Sequence, residues 1–424
     1  MGRSTCSKFG LTVLAVGGLF FPQREALGLT ARQLTPGLLA RVVHATAETR
    51  SFERAAIALE KIAGNRLSAS TIERVAGDVG NELAAQRNGT FADESEFRPL
   101  EPPQLAVVEC DGGRIHTRAA EQGPGVHEPA WRETKNACLV RMTSQTFADD
   151  PHPELPRAFL DPQKVAELAE KEPLAEVVAR AEPTASATAN DAAERLDWRP
   201  QRLLRTCLSS MVCSDEFGLQ MEREARRRRF FTGLKRAFLG DGQAWNWTLQ
   251  QTHFSDFVPI LDFIHVLGYL YPAALAVHSE PTDVWSCYLR LATACWQGRT
   301  HEVIAALETW LQEQGLEDAE LEPADPRQAV IDAARYLTNN LARMNYPDYR
   351  RAGLPVTSAL MESLVKEVNY RVKGTEMFWN DPAGAEAILQ IRAAALSEDD
   401  RLSHYLATRP GSPFTRTSPL ETAA

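Results

Sequence analysis

Apolar positions in the first part of the chain follow a helical spacing, and turn residues separate the helices. Residues 25–87 are predicted to be helical throughout. The stretch SFERAAIALEKIAG predicts one amphipathic helix that ends at Gly64, and Ser68 or Ser70 predicts the N-cap of the next helix. Helix, short turn and capped helix are typical of a helix-turn-helix, although many ordinary helix pairs share this pattern.

The start of the second helix carries the residues that a recognition helix would present to DNA. Thr71, Glu73 and Arg74 lie in its first turns, where such helices meet base edges, and we expect Thr71 and Arg74 to bind DNA. Residues 1–90 hold 11 Lys and Arg against 7 Asp and Glu, a net charge of +4. A positive helical segment favours a DNA-binding role over that of a plain helix pair.

Strand patterns begin after the proline-containing linker RPLEPPQ. LAVVECDGGRIHTR predicts a β-hairpin with its turn at the two glycines, and NACLVRMTSQTF predicts a third strand. Helix is then predicted from Trp198 through Arg229. RAFLGDGQAWNW predicts a further strand, which leads into an Asp-Gly pair.

Helical spacing returns from residue 256 to 345 without a repeat period. The segments that predict successive helices are FVPILDFIHVLGYLY, VWSCYLRLATACW, THEVIAALETWLQEQG and RQAVIDAARYLTNNLARM. GAEAILQIRAAAL predicts a short helix near the C-terminus.

The segment between Pro355 and Gly374 predicts a helix with one apolar sector. That sector is formed by Leu360, Met361, Leu364, Val365, Val368 and Val372. Glu362 lies just beyond it, on the side that carries Lys366, Asn369 and Lys373. Helix geometry alone leaves Glu362 either as a solvated surface residue or as one of several carboxylates that hold a metal.

Composition narrows the class of protein. A length of 424 residues predicts two or three domains, and 44% hydrophobic with 24% charged residues is ordinary for a globular protein. Seven cysteines without a Cys-x-x-Cys pair disfavour a disulfide framework and a zinc cluster, which fits a reducing cytoplasm. The apolar run FGLTVLAVGGLFF resembles a short signal peptide but is too short to span a bilayer. Because no convincing small-x-small cleavage site follows it, a buried strand or helix is expected instead, and no membrane partner is expected.

The formal net charge of −10 is unevenly distributed. Residues 221–236 hold 7 basic and 2 acidic side chains, a net of +5, and include four arginines at 226–229. These arginines could form a solvated helix face or contact DNA phosphates. Lys135, in WRETK, could likewise have one of two roles: it could form a charge pair at the strand edge or contact a DNA phosphate. Five tryptophans are expected mainly as core anchors, with stacking on an extruded base as the alternative: Trp245, Trp247, Trp285, Trp296 and Trp310.

Two aspartates share one local context. Asp111 and Asp241 each follow an apolar strand and precede glycine, so both could point into one open site at the ends of strands. With Glu362 on a helix packed against that sheet, three carboxylates would suit two Mg²⁺ ions, which prefer oxygen ligands and act together in phosphoryl transfer. An N-cap or turn role for each aspartate is the simpler alternative.

These stretches together resemble the DDE transposases of bacterial insertion sequences, in particular the Kra-type group, over nearly the whole chain. The matching segments include VECDGGRIHTR, WRETKNACLV, FLGDGQAWNW, ILDFIHVLGYLY, ACWQGR, GAEAILQIRAAAL and the region from LTNNLARM to GTEMFW. The resemblance implies that Asp111, Asp241 and Glu362 are the catalytic acids and the ligands of Mg²⁺ (or Mn²⁺). It also implies a ribonuclease-H-like catalytic domain interrupted by an all-helical insertion.

The fold class expected from pattern and resemblance is α/β, a mixed sheet with flanking helices, plus an N-terminal helix-turn-helix domain. The expected divisions are an uncertain segment 1–24, a DNA-binding domain 25–90, the first catalytic part 101–250, the helical insertion 251–350, the second catalytic part 351–408 and a disordered tail 409–424. A flexible insertion is expected at 182–194, where the sequence reads EPTASATANDAAE.

The function implied by the resemblance is hydrolysis of a phosphodiester at the ends of a mobile element, followed by strand transfer into target DNA. The partners would be double-stranded DNA, as element ends and as target, and further copies of the chain in the active assembly. A bacterial, cytoplasmic and nucleoid-associated location follows. Lys366, Asn369 and Lys373 would line the DNA path, and Asp262 with His265 would be an auxiliary pair or a structural one. An inactive DNA-binding relative and a nuclease that cuts without joining remain the alternatives.

Overall fold

The computed structural model describes residues 11–13, 18–20, 29, 32, 34–89, 101–118, 130–180, 198–316, 321–322, 324–373 and 378–409. For residues 11–13, 18–20, 359, 360 and 362 it describes the backbone only. The predicted insertion at 182–194 and the predicted tail beyond Arg409 lie outside the described residues.

Seven strands are described, in two sheets. They are β1 Leu11–Val13, β2 Gly18–Phe20, β3 Leu105–Thr117, β4 Ala130–Met142, β5 Arg202–Ser210, β6 Lys235–Gly240 and β7 Val258–Leu261. The short strands β1 and β2 pair antiparallel with each other. The other five form one mixed sheet in the order β5-β4-β3-β6-β7, in which β3 pairs antiparallel with β4 and parallel with β6.

Helices make up most of the rest of the described chain. They are α1 Pro36–Glu48, α2 Phe52–Ala63, α3 Ala69–Asn88, α4 Pro162–Leu168, α5 Ala175–Arg180, α6 Ser214–Arg227, α7 Ala244–His253, α8 Phe263–Val277, α9 Pro281–Trp296, α10 Thr300–Glu313, α11 Gln328–Asn340, α12 Tyr346–Arg351, α13 Ala359–Val372, α14 Pro382–Leu396 and α15 Arg401–Thr408. The α/β class is therefore confirmed in its coarse form, a mixed five-stranded sheet flanked by helices.

Helices cover both faces of the sheet at its centre. On β3, the Glu109 carboxyl group meets the backbone of Met361 at the start of α13, whereas Cys110 contacts Asn246 on α7. Because successive side chains of a strand point to opposite faces, α13 and α7 lie on opposite sides. Burial on both faces explains why residues 105–110 of β3 are all buried and read as a nearly continuous apolar run.

The predicted hairpin at the two glycines is wrong. Residues 105–117 form one continuous strand, paired with β4 along its whole length, and the register places Gly113 opposite Thr134. A Cβ on Gly113 would come within 2.6 Å of the Thr134 hydroxyl oxygen, so this glycine permits a close cross-strand approach rather than a turn.

Two further predictions are wrong because long-range pairing decides the local structure. The region 198–229, predicted as one helix, contains β5, which pairs antiparallel with β4, and then α6. The segment predicted as a helix from Phe257 begins with β7, the edge strand beside β6, and helix α8 starts only at Phe263. An edge strand tolerates Pro259, which cannot donate to a neighbouring strand.

The N-terminal helices follow the sequence closely. Helix α2 ends at Gly64, whose φ of +66° is the left-handed C-cap conformation, and Ser68 caps α3 through a bond from the Thr71 N–H. These helices pack against the C-terminal part of the chain. A Cβ at Gly80 on α3 would lie 2.3 Å from the Ala387 carbonyl oxygen of α14, so Gly80 allows the two helices to touch. The Arg392 guanidinium also donates to the Ala47 carbonyl of α1.

Candidate active site

The sheet brings Asp111 and Asp241 to the same level of two neighbouring strands. The parallel pairing of β3 with β6 aligns Glu109 with Leu239. Continued by two residues, this register places Asp111 beside Asp241, which directly follows β6. The sequence predicted that each acid ends a strand. This is correct for Asp241 but wrong for Asp111, because β3 continues through the glycines to Thr117 in its pairing with β4.

Asp262 lies at the equivalent position of the third parallel strand. The pairing of β6 with β7 aligns Gly240 with Leu261, and the Asp262 N–H donates to the Gly240 carbonyl at 2.9 Å. One residue further, Asp262 is level with Asp241. Three aspartates therefore lie side by side across the sheet: Asp241 and Asp262 directly follow β6 and β7, whereas Asp111 lies within the longer strand β3.

Hydrogen bonds from the following turn hold the Asp241 carboxylate. Oδ1 accepts from the Gln243 backbone N–H at 2.9 Å and from the Asn246 amide, and Oδ2 accepts from the Gln243 side chain at 2.8 Å. The Asp241 carbonyl accepts from the Tyr336 hydroxyl of α11 at 2.7 Å. Sequence reasoning missed Gln243 and Asn246, whose positions two and five residues after the acid were the available signal.

Gly242 is required at this turn. Its φ is +95°, and a Cβ there would come within 2.5 Å of the Tyr336 ring. Glycine therefore serves two purposes, a backbone conformation that other residues rarely adopt and room for the ring that supports Asp241.

Burial and mutual repulsion disfavour the charged forms of the two acids. Burial, followed by the negative charge of Asp241, raises the pKa of Asp111 to about 6. Burial also raises the pKa of Asp241, while hydrogen bonds from Gln243 and the charge of His265 act in the opposite direction. Two like charges in a poorly solvated site raise each other's pKa, and a cation between them would relieve the repulsion.

His265 supplies positive charge beside these acids. Its Nδ1 lies 2.8 Å from Asp262 Oδ2. Burial lowers the pKa of His265, but the Asp262 hydrogen bond and the charges of Asp262, Asp241 and Asp111 raise it to about 9. The imidazolium form therefore prevails at neutral pH and donates to Asp262. The structure brings the predicted auxiliary pair, Asp262 and His265, to the acids.

Asp262 also fixes the beginning of α13. Its carboxylate caps α8 through the Ile264 N–H at 3.1 Å and accepts both the backbone N–H and the hydroxyl of Ser358. Ser358 directly precedes α13, and Asp262 is fully buried. This contact ties the helix that carries Glu362 to the carboxyl end of β7.

A second contact places the same helix end against β3. Glu109 precedes Asp111 by two residues and therefore shares its face of the strand. The backbone N–H of Met361 bonds to the Glu109 carboxyl group, whose pKa is raised to about 8 by burial and then by the charge of Asp262. The backbone of Glu362, the next residue, is therefore held close to Glu109, whereas its side chain lies outside the described part of the structure. Glu109 was missed by sequence reasoning, although Glu-x-Asp in a strand was a visible signal.

The donor set at this site suits a hard divalent cation. Asp111, which is half-buried, and Asp241, which is buried, offer carboxylate oxygens, the ligand type that Mg²⁺ and Mn²⁺ prefer. Among the described side chains, no group of three His, Cys, Asp or Glu residues is arranged to hold a metal ion. The Glu362 carboxylate, predicted as the third ligand, is not among those side chains.

The remaining residues of α13 lie as the helical pattern predicts. Met361, Leu364, Val368 and Val372 are buried, and Lys366 and Lys373 are exposed. Asn369 is half-buried. The Lys373 ammonium lies 5.5 Å from the ring centroid of Trp131, which is exposed on β4.

The predicted DNA-reading residues on α3 stand apart from the acids. Thr71 is half-buried, with its hydroxyl 2.8 Å from that of Ser68, and Arg74 is exposed. Neither residue joins the cluster of carboxylates within the described chain. Their predicted contact with DNA remains a prediction.

The arginine run at 226–229 is neither a uniform solvated face nor a free basic patch. Arg228 is buried and forms ion pairs with Glu224 and Asp399, the latter at 2.6 Å. Arg227 pairs with Glu224 at 2.6 Å, and Arg226 pairs with Glu222 at 2.6 Å. Three of the four arginines are thus paired with acids, namely Glu222 and Glu224 on α6 and Asp399 between α14 and α15.

The tryptophans mostly have the structural role expected. Trp296 is buried, and its indole N–H donates to the His152 carbonyl at 2.9 Å. Trp247 donates to Asn340 at 2.9 Å, and Trp285 stacks on Tyr288 with centroids 4.9 Å apart. Lys135 is buried, forms an ion pair with Glu133 at 2.9 Å and lies 5.9 Å from the Trp245 ring, so its predicted strand-edge pair is present.

No helix in the described part of the chain is both long enough and apolar enough to cross a membrane.

A scan of the chain against protein-family models matched none of them, and a search of curated proteins likewise found no match.

Proposed function

We propose that the chain is a DDE transposase of an insertion sequence, with a ribonuclease-H-like catalytic domain that cuts element ends and joins them to target DNA. The observation that carries this proposal is the alignment of Asp111 and Asp241 on adjacent parallel strands, with the start of α13 tied to the same region of the sheet. Two strands and one helix would then each contribute one acid. The five-stranded mixed sheet with flanking helices is compatible with that domain.

Asp111, Asp241 and Glu362 would hold divalent cations, Mg²⁺ or Mn²⁺. When bound, a pair of such ions stabilises the attacking and leaving oxygens of an in-line phosphoryl displacement. The protein's own contribution is placement. Gln243 and Asn246 fix the orientation of Asp241, and Asp262 holds Ser358 so that the first turn of α13 stays beside β3. His265 offsets part of the negative charge that the aspartates create.

DNA would approach along the exposed side of α13. Lys366 and Lys373 present ammonium groups there, and Asn369 can donate to phosphate oxygens. Helices α1 to α3, with Thr71 and Arg74 near the start of α3, would recognise the element ends. Because two ends must be processed together, the active assembly would contain at least two copies of the chain.

A strand-transfer assay tests this proposal. The full-length protein would be incubated with Mg²⁺, a labelled duplex that carries the DNA flanking its gene, and a supercoiled target plasmid. A transposase yields a cut end and a joined product. Cut ends without joined product would indicate a nuclease that does not join, and binding without either product would indicate an inactive DNA-binding relative. Failure to bind or cut any DNA would refute the proposal.

A further inference from the structure

A pocket of about 370 Å³ lies where the N-terminal helices meet the C-terminal part of the chain. Its wall is formed by the first turn of α2, by one face of α3, by the end of α13 and by the segment that leads into α14. The volume falls within the range of small-molecule sites, roughly 300–1,000 Å³. None of the described residues that line this pocket belongs to the carboxylate cluster.

The Arg371 guanidinium lines the pocket and has one unsatisfied nitrogen. Its Nε donates to the Thr46 carbonyl at 2.9 Å, and Nη1 donates to the Arg50 carbonyl at 3.3 Å. Nη2 has no hydrogen-bond partner among the described residues, although Arg371 is only 1% exposed. Burial and then the charge of Arg392 lower the pKa of Arg371 to about 10, so the guanidinium remains charged at neutral pH. A buried charged donor without an acceptor is unfavourable, so an occupant with a carboxylate would be stabilised there.

Aromatic rings flank this guanidinium. The ring centroids of Phe52 and Trp379 lie 4.9 and 5.6 Å from the Arg371 Cζ atom. Phe378 and Ile388 add further apolar surface to the wall. An occupant with an apolar body therefore suits the space beside the charged donor.

Exposed acids line the same pocket, namely Glu53, Glu73 and Asp381. With Arg50 and Arg371, the lining holds three acidic and two basic side chains. This balance disfavours a polyanion such as DNA and favours an occupant that carries a positive group as well as a negative one. The charge of Glu53 acts on Arg371, so the two side chains are near enough to face neighbouring groups of one small molecule.

Gly77 leaves room on the α3 side of the pocket. It lies inside a helix of 20 residues, where glycine is destabilising relative to alanine. A Cβ at this position would meet nothing within 4 Å, so packing among the described residues does not require glycine here. The absent side chain instead keeps the pocket open.

We propose that this pocket binds a free α-amino acid with an apolar side chain. Such a molecule carries a carboxylate and an ammonium group on one carbon atom. The carboxylate accepts from Arg371, the ammonium group faces Glu53, and the side chain lies against Phe52 and Trp379. The bound amino acid would join the N-terminal helices to α13, and its binding does not depend on the proposed DNA chemistry.

Three ligands with the same phenylethyl body test this proposal. L-Phenylalanine carries both charges, 3-phenylpropanoate lacks the ammonium group, and 2-phenylethylamine lacks the carboxylate. Isothermal titration calorimetry of the full-length protein in EDTA gives the dissociation constants. We expect L-phenylalanine to bind and each analogue to bind at least about tenfold more weakly, because each loses a charge-assisted hydrogen bond. Equal affinity for all three ligands, or no binding of either L-phenylalanine or L-leucine, would overturn the proposal.

Variants assign the binding to this pocket. Gly77→Leu should abolish binding of L-phenylalanine while the protein stays folded, because the new side chain occupies the space that glycine leaves. Gly37→Leu, on α1 outside the pocket, is the matched control, since a Cβ there also meets nothing within 4 Å. Glu53→Gln should weaken L-phenylalanine at least about fivefold and leave 3-phenylpropanoate unchanged. Binding that persists in folded Gly77→Leu would refute this site, whereas the strand-transfer assay tests the proposed function separately.

Discussion

Ser358 donates both its backbone N–H and its hydroxyl to the carboxylate of Asp262, with the N–H bond at 3.1 Å. The two residues lie 96 positions apart in sequence, yet this pair joins the end of β7 to the start of α13. Asp262 therefore positions the helix that carries Glu362, and it also holds His265.

The Asp262–His265 pair predicts a pH dependence of stability in EDTA. The folded-state pKa of His265 is about 9, above the ordinary value of 6.5, so the pair stabilises the protein fully below pH 6.5. That contribution is lost as pH rises through about 9. Asp262→Asn, which cannot accept from His265 and Ser358 at once, should lower the His265 pKa and reduce the dependence, while the charges of Asp241 and Asp111 still raise that pKa. NMR titration of the His265 ring measures the shift, and an unchanged pKa would contradict the assignment.

Glu362→Gln should abolish cleavage and joining while folding and DNA binding persist. Gln keeps the size of the side chain but lacks the charge that a divalent cation needs. Loss of several kcal/mol of transition-state stabilisation corresponds to a rate reduction of at least about 100-fold. Glu308→Gln, on an exposed position of α10, is the control and should cut DNA at the wild-type rate. Similar cleavage rates for both variants would indicate that Glu362 is a solvated surface residue and not a metal ligand.

Gly242→Ala should destabilise the protein more than Gly315→Ala. Both glycines have positive φ, +95° and +67°, so both substitutions add backbone strain. Only at Gly242 would the new Cβ meet the Tyr336 ring, because nothing lies within 4 Å at Gly315. We expect about 1 kcal/mol for Gly315→Ala and at least about 2–3 kcal/mol for Gly242→Ala, measured by urea denaturation. Equal losses of unfolding free energy for the two variants would show that the Tyr336 ring moves aside at no energetic cost.

Lys366→Ala combined with Lys373→Ala should weaken DNA binding and flatten its salt dependence. Each lost phosphate contact lowers the slope of log K against log salt by about 0.9, so the pair should lower it by about 1.8. Binding of a 30-base-pair duplex at several salt concentrations measures the slope. Lys171→Ala, another exposed lysine, should leave it unchanged. If the double substitution leaves the slope of log K against log salt unchanged, DNA does not bind along α13.

Arg228→Ala should be far more damaging than Arg226→Ala, although both belong to the same run. Arg228 is buried against Glu224 and Asp399, so its removal leaves uncompensated charges and should cost about 3–5 kcal/mol of unfolding free energy. Arg226 is exposed and pairs with Glu222, a contact worth about 0.3–0.5 kcal/mol. Denaturation of both variants at pH 7 gives the comparison, and similar losses would contradict the structural role of Arg228.

Low pH should weaken the ion pair between Glu224 and Arg228. Burial opposes the charged form of Glu224, but the charges of Arg228, Arg401 and Arg227 prevail and hold its pKa at about 2. Because this value lies below the ordinary 4.5, the stabilisation is present above pH 4.5 and is lost as pH falls through 2. Glu224→Gln should remove that part of the acid dependence, which denaturation between pH 5 and pH 2 would show.

The sequence correctly predicted those structural features whose causes lie within a few residues of one another. Gly64 ends α2 and Ser68 caps α3 because a left-handed C-cap and a side-chain N-cap need only neighbouring backbone groups. The apolar sector of α13 was equally visible, since helical spacing dictates which side chains share a face. The strand that leads into Asp241 was predicted for the same kind of reason.

Features that depend on pairing between segments far apart in the sequence were determined only by the tertiary structure. The glycines of β3 were predicted to turn, but Thr134 opposite Gly113 shows that they allow a close approach to β4. Strands β5 and β7 form because β4 and β6 offer unpaired backbone groups, which no local pattern reveals. The sequence by itself determined that Asp111 and Asp241 each follow an apolar run and precede glycine. Only the pairing register, through hydrogen bonds between distant segments, decided that Asp111, Asp241 and Asp262 lie side by side across the sheet.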